Sequence, residues 1–177
     1  MKISCTIDGT VYNLNVNADK PLNLIISELL DSFQKKSDCT NASCGNCLIL
    51  INGNAVLSCL VPAFKVNNLS ILTYSGFKKT RSCHDIEKAY LQLGIHPCSQ
   101  CYASKTLLIG SLLNRFSLSY QNRAFGVNDI KNEETSISNP KYLEKELSLI
   151  NCNCTDIDNL IKIIELAYQN RRKRSGR

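Results

Sequence analysis

Cysteine constrains this chain more than any other residue, because ten cysteines occur in 177 residues and eight of them stand at spacings that suit a metal. The sequence after Met1 shows no continuous apolar segment of signal-peptide length, so we expect a cytoplasmic protein. The cytosol keeps thiols reduced, and the cysteines are therefore predicted to bind metal rather than to form disulfides. The eight candidate metal ligands form two sets: Cys39, Cys44, Cys47 and Cys59, and then Cys98, Cys101, Cys152 and Cys154.

The first set has the C-x4-C-x2-C spacing of plant-type [2Fe-2S] ferredoxins. Three of its cysteines share one loop, and Cys59 supplies a fourth thiolate from beyond a predicted hairpin strand. Gly45 stands between two of the ligands and has no side chain, so its backbone can approach a cluster and offer N–H groups to the sulfides. Gly45 is therefore a predicted cofactor-binding residue.

The second set pairs a C-x2-C motif with a C-x-C motif, and each motif just precedes a predicted helix. Helix N-termini favour bound anions, so two such loops brought together could hold a negatively charged cluster. A structural zinc site with four cysteine ligands uses similar pairs, and this alternative stays open. The two histidines, His84 and His96, lack the paired spacing of a Rieske centre, so all-thiolate clusters are preferred.

The first 75 residues predict a small sheet crossed by one helix. Apolar residues alternate on both sides of Asp8-Gly9, which indicates a β-hairpin, and Asn52-Gly53 indicates a second one. Between the hairpins, helical spacing predicts a helix over residues 21–33, with Asn17 or Asp19 as its cap.

The remainder of the chain predicts helices alone. Residues 76–81 break the strand pattern and are predicted as a linker, and residues 82–177 are predicted as an all-α domain of four helices. Thr155 and Asp158 form a capping pair for the last helix, whereas residues 117–140 are predicted as a long connection. The predicted fold class is therefore α+β, with domains over 1–75 and 82–177.

The net charge of +6 does not by itself predict a nucleic-acid partner, since five positive residues lie in the last seven positions. We expect this basic end to be solvated and to meet the negative helix terminus favourably; docking onto an acidic partner is the alternative. The longest aliphatic run, Leu48 to Ile51, is too short to cross a bilayer. Neither a nucleic acid nor a membrane is therefore expected as a partner.

Two cysteines fall outside the ligand sets. Cys5 lies on the apolar side of the first strand, and Cys83 lies at a helix start without a partner at metal spacing, so both are predicted to be structural. No phosphate-binding glycine loop, Ser-His-Asp arrangement or isolated carboxylate pair stands out. No catalytic residue is therefore predicted on this chain.

Taken together and in this order, the two cysteine sets resemble those of the small iron-sulfur subunit of the xanthine dehydrogenase family of molybdenum hydroxylases. The likeness is firmest over residues 39–53, 58–64, 98–101 and 151–155. It implies a β-grasp, ferredoxin-like domain followed by a four-helix domain, each with one [2Fe-2S] cluster. It also implies two partners, namely a molybdopterin-binding large subunit, and an FAD-binding medium subunit. In that family, electrons travel from the molybdenum site through the helical-domain cluster and then the ferredoxin-domain cluster to FAD or another acceptor.

The prediction from the sequence is therefore a non-catalytic electron-transfer subunit of an oxidoreductase complex. Two alternatives stay open, namely a free-standing ferredoxin-like electron carrier and a zinc-stabilised interaction module. Iron with acid-labile sulfide would exclude the zinc module. Isolation of the chain with or without molybdenum and flavin proteins would distinguish the subunit from the free carrier.

Overall fold

The computed structural model describes residues 1–30, 43–124 and 139–175. The chain divides into two compact units, Met1–Thr80 and Arg81–Arg177. The described residues contain one five-stranded sheet and six α-helices, so the predicted mixture of α and β structure is confirmed. Among these residues, no helix combines the length and the apolar character that crossing a membrane requires.

A mixed sheet forms the first unit. Its elements are β1 (Lys2–Ile7), β2 (Thr10–Asn15), α1 (Leu22–Leu29), β3 (Leu48–Ile51), β4 (Asn54–Leu57), β5 (Ser70–Leu72) and the short α2 (Tyr74–Phe77). The strand order is β2-β1-β5-β3-β4. The strands β1 and β5 pair in parallel, and all other neighbours are antiparallel.

Both predicted hairpins are present, and their turns have the backbone form that a two-residue loop requires. Asp8 and Gly9 have φ angles of 50° and 88°, and Asn52 and Gly53 have φ angles of 49° and 84°. Positive φ at both central residues is the mark of a type I′ turn, whose twist matches that of the flanking strands. The turn residues thus fix the register of β1 with β2 and of β3 with β4.

Apolar side chains from the sheet and from α1 bury one another in the core of the first unit. Leu22, Ile25 and Ile26 lie on the buried face of α1 at helical spacing. They pack in one cluster with Ile3, Cys5, Ile7, Ile49, Ala63, Val66 and Ile71. The prediction that Cys5 is a core residue is confirmed.

The start of α1 differs from the prediction. Pro21 occupies the N-cap position, and no side chain caps the helix. Instead, the N–H group of Leu22 donates to the carbonyl oxygen of Val61 at 2.8 Å. The predicted caps Asn17 and Asp19 are wrong because a neighbouring backbone segment already satisfies this donor.

Four helices form the described part of the second unit, and no strand occurs in residues 81–124 and 139–175. They are α3 (Arg81–Leu93), α4 (Tyr102–Ala124), α5 (Pro140–Leu147) and α6 (Ile157–Ser175). The helices α3, α4 and α5 all contact α6, and α3 also contacts α4. Their contacting faces bury an apolar core that includes Ile86, Ala89, Leu108, Leu112, Leu143, Leu160, Ile163 and Ile164.

Some predicted boundaries move. The prediction of a connection over residues 117–140 is wrong in its first part, because α4 continues to Ala124. Such an extension needs no apolar periodicity. Each residue added to an existing helix gains a hydrogen bond, and no new helix has to be nucleated. Residues 125–138 of that connection, and residues 31–33 of the predicted first helix, lie outside the described residues. The predicted linker, 76–81, holds the end of α2, a turn and the first residue of α3.

The basic end of the chain belongs to the last turns of α6. Arg174 donates two hydrogen bonds to the carboxylate of Asp85 on α3, at 2.6 and 3.2 Å. Arg171 donates to the side-chain oxygen of Asn114 on α4 at 2.9 Å. The expectation of a solvated end is therefore wrong for these two arginines, because other helices offer them polar partners.

Candidate metal centres

The structure brings the second cysteine set together. The Sγ atoms of Cys98, Cys101, Cys152 and Cys154 all lie within 4.8 Å of one another. Cys101 and Cys154 are 3.2 Å apart, Cys98 and Cys101 are 3.6 Å apart, and Cys98 and Cys152 are 3.8 Å apart. Within the described residues, this four-cysteine group contains no histidine or carboxylate. Such an all-sulfur set suits zinc or an iron-sulfur cluster.

Two short loops hold the four-cysteine group at the starts of α4 and α6. In the first loop, the N–H groups of Cys101 and Tyr102 donate to the carbonyl oxygen of Cys98 at 3.1 and 2.9 Å. In the second loop, the N–H group of Cys152 donates to the carbonyl oxygen of Ile150 at 2.9 Å. Each pair of thiols is therefore presented by a tight turn that leads into a helix.

Asp156 caps α6 directly after the last cysteine of the group. Its carboxylate accepts a hydrogen bond from the N–H group of Asn159 at 2.7 Å. The predicted cap, Thr155, is wrong by one residue. Thr155 is buried instead, and its hydroxyl oxygen lies 3.6 Å from the Sγ atom of Cys154. The hydroxyl group of Thr155 therefore contacts the sulfur of Cys154 and is not the cap of α6.

Cys154 has a thiol pKa well below the ordinary value. Burial alone would raise its pKa, but hydrogen bonds outweigh burial and lower the pKa to about 6. The main donor is the N–H group of Cys98, 3.3 Å from the sulfur, and the side chains of Cys101, Thr155 and Cys152 contribute as well. The thiolate is the form that binds metal, so Cys154 is prepared for ligation near neutral pH.

The other thiols of the group differ in their proton affinity. Hydrogen bonds from the backbone and side chain of Cys101 lower the pKa of Cys98. Burial raises the pKa of Cys101, and hydrogen bonding to the other three thiols raises it further, against the opposing charge of Lys105. The group without metal therefore retains protons that metal binding must release.

Lys105 is a functional candidate that the sequence reasoning missed. Its side chain is only 2% exposed. Its Nζ atom donates to the carbonyl oxygen of Cys152 at 2.8 Å and lies 3.7 Å from the Sγ atom of Cys154. Lys105 lies one helical turn after Cys101, the residue before α4, and its N–H group donates to the carbonyl oxygen of Cys101 at 2.9 Å. The sequence did contain a signal for this role. A lysine stands one helical turn after a predicted ligand and is followed by the uncharged residues 106–114.

The first cysteine set is described in part, because Cys39 lies outside the described residues. The Sγ atoms of Cys47 and Cys59 are 3.3 Å apart. The N–H group of Asn46 donates to the Sγ atom of Cys44 at 3.5 Å. All three described cysteines are partly exposed. The structure therefore brings the fourth predicted ligand, Cys59, beside the loop that carries the others.

Backbone geometry around Gly45 and Ser58 supports this loop. Gly45 is buried and has a φ angle of 71°, a left-handed conformation that glycine adopts without strain. The hydroxyl and N–H groups of Ser58 both donate to the carbonyl oxygen of Cys47, at 2.6 and 3.2 Å. These bonds tie the cysteine loop to the residue before Cys59. The role of Gly45 toward a cofactor stays a prediction.

Cys83 and the histidine nearest the second set lie outside the four-cysteine group. Cys83 is fully buried on α3, and burial, with a smaller contribution from Glu87, raises the pKa of its thiol to about 12. The Nδ1 atom of His96 lies 3.1 Å from the carbonyl oxygen of Pro97. The geometry of Cys83 fits the predicted structural role.

A four-thiol centre at two helix starts, together with a second cysteine loop beside a mixed sheet, is typical of proteins that bind zinc or iron-sulfur clusters through cysteine. No family model matches the chain. One subunit of nicotinate dehydrogenase from Pseudomonas putida is 24% identical over 171 residues, which cover 97% of this chain and 97% of that protein. The xanthine dehydrogenase iron-sulfur-binding subunit of Escherichia coli is 30% identical over 99 residues, which cover 56% of this chain and 62% of that subunit.

Two solved structures share the fold. An aldehyde oxidoreductase from Desulfovibrio gigas matches 98% of this chain with a TM-score of 0.72 and 20% identity, over 17% of its own length. Quinoline 2-oxidoreductase from Pseudomonas putida matches 97% of this chain with a TM-score of 0.67 and 23% identity, over 96% of the matched chain.

The chain thus resembles small iron-sulfur subunits of the xanthine dehydrogenase and aldehyde oxidoreductase family, and the two solved structures share its fold along nearly its whole length. The resemblance predicted from the cysteine motifs is confirmed. The predicted class, a non-catalytic electron-transfer subunit of an oxidoreductase, agrees with these relatives.

Proposed function

We propose that this chain holds two [2Fe-2S] clusters and relays electrons in a molybdenum-hydroxylase-type oxidoreductase. The four-cysteine group at the starts of α4 and α6 carries the proposal. Its members, Cys98, Cys101, Cys152 and Cys154, would hold one cluster in the helical domain over 82–177. The other cluster would lie in a β-grasp, ferredoxin-like domain over 1–75, on Cys39, Cys44, Cys47 and Cys59.

The surroundings of the four-cysteine group suit an anionic cluster. The Cys98 N–H group donates to the Sγ atom of Cys154, and the Nζ atom of Lys105 lies 3.7 Å from the same sulfur. Both loops precede helices, whose N-terminal N–H groups favour negative charge. When bound, a [2Fe-2S] cluster supplies one-electron redox chemistry. The chain's own residues hold the four sulfurs together and supply local charge.

Support for the first cluster comes from the described part of its loop. Cys47 and Cys59 approach each other to 3.3 Å although twelve positions separate them in sequence. Gly45 takes a left-handed conformation between two of the predicted ligands, and its lack of a side chain would let a cofactor approach the backbone. We therefore assign Gly45 a cofactor-binding role. Loss of one cluster in a Gly45 variant would support this role.

Partner subunits complete the proposal, because no catalytic residue is predicted on this chain. A molybdopterin-binding large subunit would deliver electrons, and an FAD-binding medium subunit or another acceptor would take them. The relatives from Pseudomonas putida and Escherichia coli are both named as subunits, which supports assembly into a larger complex. The proposed compartment is the cytoplasm, without nucleic acid or membrane as a partner.

A zinc-stabilised interaction module is the second candidate, and the compactness of the four-cysteine group favours it. Four sulfurs at about 2.3 Å from one zinc ion lie roughly 4 Å apart, near the observed limit of 4.8 Å. A zinc site would explain the second cysteine set but not the ferredoxin spacing of the first. A free-standing ferredoxin-like carrier would explain both sets without partner subunits.

Metal analysis and electron paramagnetic resonance of the natively purified chain test the proposal. We expect about four iron atoms and about four acid-labile sulfides per chain, with two distinct signals after reduction. Cys101→Ser should remove one signal, whereas Cys83→Ser, which changes a buried thiol outside the group, should retain both. Zinc without visible absorption would replace the proposal by the interaction module. Recovery of the chain from native cells without a molybdenum or flavin protein would favour the free carrier.

A further inference from the structure

We infer that Lys105 supplies the positive charge that balances the metal centre of the second unit and raises its reduction potential. This inference rests on the proposed function, because it concerns the cluster that the four-cysteine group would hold. The side chain of Lys105 is 2% exposed and is among the largest fully buried side chains of the described residues. Its ammonium group touches two members of the group: it bonds the Cys152 carbonyl oxygen at 2.8 Å and lies 3.7 Å from the Cys154 sulfur.

A buried ammonium group requires a negative partner, since burying an unpaired charge is costly. Among the described residues, no ion pair includes Lys105. Lys105 lines a cavity of about 530 Å³ together with Glu144, Asp156 and Asp158. However, both carboxylate oxygens of Asp156 accept from Asn159, and none of the three carboxylates is within ion-pair distance of Nζ. The cysteine sulfurs are therefore the anionic partner that the structure offers.

The position of this charge predicts its effect on reduction. Four thiolates around an iron-sulfur cluster give the centre a net negative charge, and reduction adds one electron without a proton. A cation 3.7 Å from a ligand sulfur stabilises the more negative, reduced form more strongly than the oxidised form. The reduction potential of this centre is therefore higher with Lys105 than without it. The bond from Nζ to the Cys152 carbonyl oxygen also positions the loop that carries the last two ligands.

A redox titration monitored by electron paramagnetic resonance tests the inference on the full chain purified with its clusters. Lys105→Met and Lys105→Gln remove the charge, and Gln keeps an N–H donor on a side chain that is one atom shorter. Lys105→Arg keeps the charge, and Lys88→Met removes an exposed lysine of α3 as a matched control. Both neutral variants should lower the reduction equilibrium constant of one cluster at least tenfold, which is about 59 mV for one electron. The other cluster, Lys105→Arg and the control should stay close to the unmodified chain.

The outcomes show whether the charge of Lys105 or only the shape of its side chain acts on the metal centre. Unchanged potentials in both neutral variants, at native iron content, would overturn the inference and leave the proposed function intact. Zinc in the unmodified chain would overturn both. If both neutral variants lose iron from one centre and Lys105→Arg retains it, the charge is needed to hold the centre, which supports the inference. Loss of iron from all three Lys105 variants would overturn it, because the shape of the lysine would then matter rather than its charge.

Discussion

The pair formed by Arg174 and Asp85 should stabilise the helical unit, and breaking it should have an asymmetric effect. Two hydrogen bonds join the guanidinium group to the carboxylate, at 2.6 and 3.2 Å. The side chain of Asp85 is 9% exposed, whereas that of Arg174 is 38% exposed. Arg174→Met would leave a nearly buried carboxylate without its cation. Asp85→Asn would leave a guanidinium group that already reaches water.

The expected magnitude lies between the limits for buried and exposed pairs. A hydrogen bond to a charged group contributes about 1.5–3 kcal/mol when it is protected from water. An exposed ion pair contributes about 0–1 kcal/mol. Because Arg174 is more than a third exposed, we expect Arg174→Met to lower the free energy of unfolding by about 2 kcal/mol. Asp85→Asn keeps the size and one acceptor of the side chain, so its loss should be about 1 kcal/mol.

Native-state hydrogen exchange of the amides of α3 and α6 in the metal-loaded chain measures these losses within the helical unit. Lys173→Met, an exposed neighbour on the same helix, is the matched control and should change the stability by less than about 0.5 kcal/mol. If Arg174→Met is no more destabilising than this control, the pair contributes nothing. The basic end would then behave as the solvated end that the sequence alone suggested.

The cysteine loops give three further tests. In the metal-free chain at about pH 7, iodoacetamide should modify Cys154 long before Cys83, because pKa values of about 6 and about 12 make the first thiol about 90% thiolate and the second almost none. Peptide mass spectrometry measures this, and the rate at Cys154 should fall as the pH drops below 6; a half-maximal rate at Cys154 near pH 9, the ordinary thiol value, would contradict the assigned hydrogen bonds. Gly45→Ala should destabilise the first unit by about 1–2 kcal/mol in urea, since alanine resists a φ angle of 71°. Ser58→Ala should cost about 1 kcal/mol in the same assay, because the Cys47 carbonyl oxygen loses one of its two donors; an unchanged midpoint would refute that bond.

Local chemistry made part of the structure predictable. Asp8-Gly9 and Asn52-Gly53 specify their turns by themselves, because few residue pairs take positive φ at two successive positions. Each cysteine pair of the four-cysteine group was visible as a C-x2-C or C-x-C motif, and metal ligation by these pairs stays a prediction. The core role of Cys5 followed from the alternation of a single strand. Each of these predictions needed only a few neighbouring residues.

Features that depend on packing between distant elements were not predictable. Arg174 and Asp85 are 89 positions apart, and neither residue shows its partner in a linear pattern. Lys105 contacts the carbonyl oxygen of Cys152 only because the loop that carries Cys152, 47 positions later in the chain, packs against it. The first helical donor of α1 is satisfied by Val61 rather than by a nearby cap, for the same reason. Tertiary contacts decided these sites, and local propensity did not.

The four-cysteine group joins segments that are far apart in the chain, since Cys101 and Cys154 are separated by 53 positions. A bound metal centre therefore acts as a cross-link that closes a long loop containing most of the helical unit. During synthesis the ribosome must complete α5 before the last two cysteines of this group exist, so a metal centre that uses all four can form only after residue 154 has been translated. Chelation should correspondingly speed hydrogen exchange at the starts of α4 and α6 while the hairpin of β1 and β2 keeps its protection.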